Sequence, residues 1–255
     1  MRRRLWSAAR DALRSSPQDA YAIGLAQAAF RDAARPDAIA TLLAAAQEAD
    51  DAGRPELAAA LYRQAAEAGD HRAVVRLVNR PGIREDRAAM EAVYRGAVAA
   101  GDVRSLAGLA NVRARQGDPA EARKLYVRAV AAGDVAALTA YAAFLRNHGE
   151  PGEHERAIQA HRQRVDRGDA GALAVLGALL LAVPGGRAEA EAVLRRGAAV
   201  LDDRSRCLLA ALLLNEGAVR VATELVERVR ATGDELARAY ADRLADEYEL
   251  PVDPR

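Results

Sequence analysis

A unit of 32 residues repeats along most of this chain, and this repeat constrains the fold more than any other feature of the sequence. A small residue is followed four positions later by a large one and three positions after that by another small one. The clear copies are Ala26/Phe30/Ala33, Ala58/Tyr62/Ala65, Met90/Tyr94/Ala97 and Ala122/Tyr126/Ala129, and the looser ones are Ala157/His161/Arg164, Ala190/Leu194/Gly197 and Ala222/Val226/Val229. A Gly-Asp dipeptide repeats as well, at Gly69-Asp70, Gly101-Asp102, Gly133-Asp134, Gly168-Asp169 and Gly233-Asp234. A fixed period of this length is typical of a solenoid of stacked helix pairs.

Each unit is expected to contain two helices. In one clear unit the pattern predicts a first helix from about Asp102 to Gln116, a turn at Gly117-Asp118-Pro119 and a second helix from about Ala120 to Ala132. Glycine suits the end of a helix, aspartate caps the next one and proline fits its first turn. Alanine dominates the composition and favours helices, whereas the alternation typical of strands is missing. The sequence therefore predicts an all-α, right-handed superhelix of about eight helix pairs.

The repeated small and large residues are interpreted as core. Tyr62, Tyr94 and Tyr126 are expected to fill the space between successive helix pairs, and Gly177 and Ala210 to lie where helices approach most closely.

These motifs resemble the tetratricopeptide repeat superfamily, including its Sel-one-like relatives. The resemblance is carried by Leu176-Gly177 with Leu180, by Ala122/Tyr126/Ala129 and by the segment from Leu61 to Asp70. It covers residues 6–249, and it implies one repeat domain over residues 1–255 with a short tail at 250–255. The unit is shorter than the usual one of about 34 residues. The pattern also departs at Pro81-Gly82, expected to end a first helix early, and at an insertion around Gly149–Glu155, where irregular stacking is expected.

In this superfamily the first helices line a concave groove that holds a peptide or a partner helix. Carried over by position, the resemblance implies partner contacts at Arg72, Asn79, Arg104, Asn111, Thr139, Arg146 and Asn147, and further along at Arg204 and Asn215. Side-chain amides could bind a peptide backbone, and arginines could bind acidic side chains or a terminal carboxylate. Solvation of an exposed helix face is the alternative reading for any one of these residues.

A cluster of possible metal ligands contains His148, His154 and His161 with Glu150, Glu153 and Glu155. Metal binding, an exposed polar loop and a partner contact all stay open, although the usual i, i+4 histidine pair is missing and a polar loop is favoured. Cys207 is interpreted as a packed structural thiol. Because no nucleophile, phosphate-loop or zinc-protease motif is present, we expect neither catalysis nor a cofactor nor a bound metal.

Charge is nearly balanced, at 37 Lys+Arg against 36 Asp+Glu. We therefore expect no nucleic-acid partner. The apolar stretch from Leu173 to Val183 is too short to span a bilayer, which takes about 20 residues. The basic N-terminus is interpreted as an amphipathic helix with Leu5, Trp6, Ala9 and Leu13 on one side. With a single cysteine, these features predict a soluble, cytoplasmic protein without a membrane partner.

The function expected from these observations is a non-catalytic scaffold that binds a protein or peptide. One alternative is a regulatory module, because similar repeat arrays occur as appended segments of bacterial signalling proteins. Another is self-assembly through end surfaces near Trp6 and near Tyr240 and Leu244, although the polar segment Asp234–Glu249 is typical of a capping helix. The identity of the partner and the oligomeric state cannot be read from the sequence.

Overall fold

The computed structural model describes residues 36–251. The amphipathic helix predicted near the N-terminus and the Ala26/Phe30/Ala33 copy lie outside these residues. The described residues form thirteen α-helices and no strand. In chain order the helices are α1 Pro36–Asp51, α2 Pro55–Glu67, α3 His71–Val78, α4 Arg87–Ala99, α5 Ser105–Arg115, α6 Pro119–Ala131, α7 Val135–His148, α8 Glu153–Asp166, α9 Ala172–Leu181, α10 Arg187–Ala199, α11 Asp203–Leu214, α12 Val219–Arg230 and α13 Glu235–Glu247.

The predicted all-α architecture of repeated helix pairs is confirmed. Helices α5 and α6 reproduce the predicted pair and turn, with Pro119 in the first turn of α6 and a carboxylate oxygen of Asp118 accepting from Glu121 N at 3.1 Å. Helix α5 begins three residues later than expected, at Ser105. The reason is that Asp102 lies before the helix, where its carboxylate accepts hydrogen bonds from Arg104 N and the Ser105 hydroxyl.

The junctions between pairs follow the predicted glycine stop and aspartate cap. Gly69 and Gly133 both have a φ of +89°, a conformation in which a side chain is strained. Asp70 and Asp134 then accept hydrogen bonds from backbone amides in the first turn of α3 and α7. At the junction between α10 and α11 the cap is Asp202, but the preceding residue is Leu201 with a φ of +66°.

The chain divides into two compact units, Met1–Val112 and Arg113–Arg255. In the first unit, a continuous apolar core includes Leu42, Leu61, Tyr62 and Leu77, each at most 2% exposed. In the second unit, α9 is almost wholly buried and packs against α7, α8, α10 and α11. Each unit thus has its own core, and the expectation of one repeat domain over the whole chain stays a prediction.

Most of the repeated columns are core, as predicted. Tyr62, Tyr126, Leu194 and Val226 are all buried, and so are the flanking alanines, whereas Tyr94 is only half-buried against the core of the first unit. Close approach requires Gly177, because a Cβ added there would lie 2.5 Å from Cδ2 of Leu194.

The copy in α8 departs from this pattern, as its sequence suggested. His161 is half-buried and its Nδ1 donates to the carbonyl of Ala157 at 2.8 Å, while Arg164 points to solvent and pairs with Asp169. Only Ile158 and Val165 of this helix are fully buried. The polar substitutions leave α8 a narrow apolar face.

Candidate functional site

The predicted partner-binding residues are divided between the two compact units. Helices α3 and α5 of the first unit, or the residues that flank them, carry four of the seven; helix α7 of the second unit carries the others. The first-unit members are Arg72, Asn79, Arg104 and Asn111, and the second-unit members are Thr139, Arg146 and Asn147. All are exposed except Arg104, which is half-buried.

At the starts of the first helices, the polar side chains have local partners. The Arg72 guanidinium lies 2.9 Å from a carboxylate oxygen of Asp70, and this hydrogen bond raises the pKa of Arg72. Arg104 Nε lies 3.6 Å from Asp102, and the Thr139 hydroxyl donates to the carbonyl of Ala136 at 3.1 Å. The carboxylates offset part of the positive charge that these arginines would present to an acidic ligand.

Two amides of the first unit are exposed to solvent, one just after the end of α3 and the other within α5. Asn79 follows the last residue of α3, and its Nδ2 donates to the carbonyl of Val75 at 2.9 Å. No described residue donates a hydrogen bond to the Oδ1 atom of Asn79, which is an exposed residue. Asn111 is exposed on α5, between the buried Ala110 and Val112. Both amides can therefore reach a partner without any movement of the core.

In the second unit, several of the predicted partner-binding residues form hydrogen bonds with groups of the protein itself. Arg146 Nη1 donates to the carbonyl of Ala182 at 3.0 Å and its Nε to Asn147 Oδ1 at 3.2 Å. Arg204 donates to the carbonyl of Gly171 at 3.3 Å, and Asn215 Oδ1 accepts from the Tyr248 hydroxyl at 3.0 Å. These contacts join successive first helices to one another.

The first helices of the second unit also converge. Helix α13 packs against both α7 and α11, although α7 lies three pairs earlier in the chain. Near the start of α7, a Cβ added to Gly133 would lie 3.9 Å from Cδ1 of Leu236 in α13. Helix α13 is therefore in contact with a helix from three repeats earlier as well as with nearby helices of the unit.

The histidines of the possible metal cluster bind other groups. His154 Nε2 donates to the carbonyl of Leu179 at 2.9 Å, and the His148 ring stacks on Phe144 at 5.6 Å between centroids. Glu153 accepts from Arg123 at 2.7 Å. Over residues 36–251, no three His, Cys, Asp or Glu side chains are arranged to hold a metal ion.

Cys207 is buried, and its thiol lies 3.4 Å from the carbonyl of Ala237. Burial, followed by the charges of nearby aspartates, raises the pKa of this thiol well above its usual range. The thiol is thus held in its neutral, unreactive form, as expected for a packed side chain.

Sequence reasoning missed a buried polar cluster between two repeats. His71 Nδ1 lies 2.8 Å from Oδ2 of Asp102, which also accepts from the Ser105 hydroxyl at 2.6 Å. Asp202 and Ser205 repeat the second of these bonds at 2.5 Å. The shared spacing of Asp and Ser was the available signal in the sequence.

A series of ion pairs joining successive repeats was missed as well. Arg123 pairs with Glu153, Arg162 with Glu189 and Arg187 with Glu216, at 2.7, 2.7 and 2.6 Å. The first two of these pairs join α6 to α8 and α8 to α10 through their side chains. No helix in the described part of the chain is long and apolar enough to cross a membrane.

Comparison with known protein families gives no match, and neither does comparison with curated proteins. Among solved structures, the chain is similar to the crystal structure of c5321, a protective antigen present in uropathogenic Escherichia coli strains and displaying an SLR fold. The two share 19% identity with a TM-score of 0.41, and the match covers 91% of this chain. It covers 53% of the other chain, so the present chain spans about half the length of that protein.

Proposed function

We propose that this protein is a non-catalytic interaction scaffold that binds a peptide or helical segment of a partner protein on its first helices. One observation carries the proposal: Asn79 and Asn111 lie one repeat of 32 residues apart in the sequence, and both side chains are exposed in the same compact unit. Their neighbours Val78 and Ala110 are buried, which fixes the backbone that carries the amides.

The mechanism follows from the chemistry of an amide. The unbonded Oδ1 atom of the exposed Asn79 can accept a hydrogen bond from a backbone N–H of the partner, and the Asn111 amide can both donate and accept. Arg72 and Arg104 add positive charge at the starts of the same helices, reduced by Asp70 and Asp102. An extended peptide lying across successive helices would be bound mainly through its backbone, with weak selection for acidic side chains.

In the second unit, Thr139, Arg146 and Asn147 form a separate candidate surface on α7. The contacts of Arg146 with Ala182 and Asn147 hold its guanidinium in place rather than leaving it mobile. We therefore expect the first unit to supply most of the affinity. A cytoplasmic location is part of the proposal and is compatible with the single, buried and unpaired Cys207.

The test is a selection of binding peptides from a random library displayed on phage, followed by titration calorimetry with the selected peptides. In the variant Asn79→Ala/Asn111→Ala we expect affinity to fall about tenfold, since each lost hydrogen bond contributes about 0.5–1.5 kcal/mol. The matched control is Gln159→Ala/Gln163→Ala, which removes two exposed amides from the second helix α8. Equal affinity of the two variants, or failure of the library to yield any binder, would contradict the proposal.

A further inference from the structure

In the second unit, the second helices of the pairs (α6, α8, α10 and α12) together carry far more positive than negative charge near their C-terminal ends. The C-terminal halves of α6, α8, α10 and α12, with the residue after α8, contain eight arginines but only two acidic residues, Asp166 and Glu227. The arginines are Arg128, Arg162, Arg164, Arg167, Arg195, Arg196, Arg228 and Arg230. The helix dipole favours cations at this end and explains why arginine is tolerated there. It does not neutralise the outward charge.

Four of these arginines are already paired with acids. Arg162 binds Glu189, Arg164 binds Asp169 and Arg195 binds Glu191, and Arg230 lies 2.7 Å from Asp242. The acids at the following junctions are engaged as well, because Asp202 binds Arg204 and Asp234 caps α13. Of the acids named for this side of the unit, only Asp166 and Glu227 are therefore left without an ion pair or a capping hydrogen bond to a described residue.

Of the remaining four arginines, one comes from the C-terminal end of each of these four helices. They are all exposed, and none has an ion pair with any described residue: Arg128, Arg167, Arg196 and Arg228. Each lies within one turn of the C-terminal end of its helix, so these guanidinium groups form a row along the C-terminal ends of successive second helices. An extended peptide with acidic side chains at regular intervals can run along such a row.

A second, independent observation lies on the same edge. Val200 and Leu201 follow α10, four and five residues after Arg196, and are 56% and 71% exposed. Leu201 has a φ of +66°, whereas Gly133 and Gly168 hold the equivalent position of earlier repeats. A leucine in this conformation strains the backbone and leaves apolar surface in water, so its presence suggests a use outside the folded monomer.

We propose that this edge, defined by Arg128, Arg167, Arg196, Arg228 and the Val200-Leu201 step, docks an acidic segment of a partner protein. Carboxylates of the segment bind the row of guanidinium groups, and an apolar side chain of the segment packs on Leu201. A protein segment fits better than nucleic acid for two reasons. Asp166 and Glu227 lie among these arginines and would repel the continuous chain of phosphates of a nucleic acid. The exposed contact residue, Leu201, is aliphatic and does not offer the aromatic surface on which bases stack.

The edge lies on second helices, and the surface assigned above to peptide binding lies on first helices. The two proposals can therefore fail separately.

The probe is a fluorescein-labelled 12-residue peptide with glutamate at every third position and one central leucine, and binding is followed by fluorescence anisotropy at low salt. The edge variant is Arg128→Gln/Arg167→Gln/Arg196→Gln/Arg228→Gln. Its control, Arg63→Gln/Arg76→Gln/Arg87→Gln/Arg115→Gln, makes the same change in net charge at four other exposed arginines. Circular dichroism melting establishes that both variants fold.

We expect the edge variant to lose at least tenfold in affinity, the control variant to stay within about threefold of the unmodified protein, and Leu201→Gly to lose severalfold. Raising the salt concentration should weaken binding steeply, because exposed charges are screened. No binding of the peptide to the unmodified protein, or equal loss in the edge and control variants, would overturn the proposal. So would tighter binding of a DNA duplex than of the peptide, if the edge variant abolished it, because the edge would then be a nucleic-acid surface.

Discussion

The imidazole of His71 lies 2.8 Å from the carboxylate of Asp102, and this contact joins the starts of two successive first helices in the first unit. Asp102 is almost fully buried and also binds Ser105 and the backbone of Arg104. Burial alone would raise the pKa of this carboxyl group. The hydrogen bonds from His71 and Ser105, with the nearby charges, outweigh burial and hold the pKa of Asp102 below its ordinary value.

Replacing Asp102 with Asn should lower the free energy of unfolding by about 1–3 kcal/mol, because a buried network loses its charged acceptor. The contribution of Asp102 has a defined pH dependence. Since its folded-state pKa is lowered, its stabilisation is complete above the ordinary carboxyl pKa of about 3.9 and is lost as pH falls through the lowered value. Urea unfolding should thus show a larger difference between the unmodified protein and Asp102→Asn at pH 5 than at pH 3.

The control for this prediction is Asp86→Asn. Asp86 caps α4 by accepting from the amides of Ala88 and Ala89, but it is exposed. We expect Asp86→Asn to have the smaller effect at pH 5. Equal losses for the two variants would mean that Asp102 acts as a helix cap alone.

Replacing Leu201 with Gly should stabilise the protein by about 1 kcal/mol, because glycine adopts a positive φ without the steric penalty of a side chain. The side chain of Leu201 is mostly exposed, so little packing is lost. The reverse change, Gly168→Leu, is the matched control: φ is +88° there, and an added Cβ would meet nothing within 4 Å. Thermal unfolding should give opposite shifts, and a lower Tm for Leu201→Gly would show that Leu201 makes stabilising contacts.

Much of this fold could be predicted from the sequence because the signals are local. The positions of Tyr62 and Tyr126 follow from helical periodicity, and the helix ends follow from glycine and aspartate at fixed offsets. Leu201 gave no such signal, because leucine does not by itself indicate a positive φ. Only the fact that glycine holds the equivalent position in other repeats indicates a positive φ at Leu201.

The candidate site was predictable only in part, for a similar reason. Exposure of Asn111 follows from the helix face on which it lies, and exposure of Asn79 follows from its position just after the end of α3. The contacts Arg146–Ala182 and Asn215–Tyr248 depend on how far each helix pair rotates relative to the one before. Small rotations accumulate along a repeat array, so the packing of α13 against α7 is a property of several repeats together.

Replacing Gly177 with Ala should destabilise the second unit by about 1–3 kcal/mol, because the new methyl group would overlap the buried side chain of Leu194. The double variant Gly177→Ala/Leu194→Ala should lose less stability than the sum of the two single variants, since each change makes room for the other. Chemical denaturation of all four proteins measures this coupling. Gly96→Ala is the control on α4, where the added Cβ meets no atom within 4 Å, and it should be neutral or stabilising. Additive losses in the Gly177 and Leu194 variants would contradict the close approach.

Cys207, the single cysteine of the chain, should report on unfolding of the second unit. Its thiol is buried near the carbonyl of Ala237, and burial raises its pKa, so the reactive thiolate is both scarce and inaccessible in the folded protein. In the native protein at pH 8, a disulfide reagent such as dithionitrobenzoate should therefore react at least a hundredfold more slowly than in 8 M urea. The rate should rise along the same urea transition as circular dichroism. The matched control is Cys207→Ser/Val200→Cys, which moves the cysteine to an exposed position after α10 and should react at once in the native state. Rapid reaction of native Cys207 would show that α11 and α13 separate far more readily than their buried contact implies.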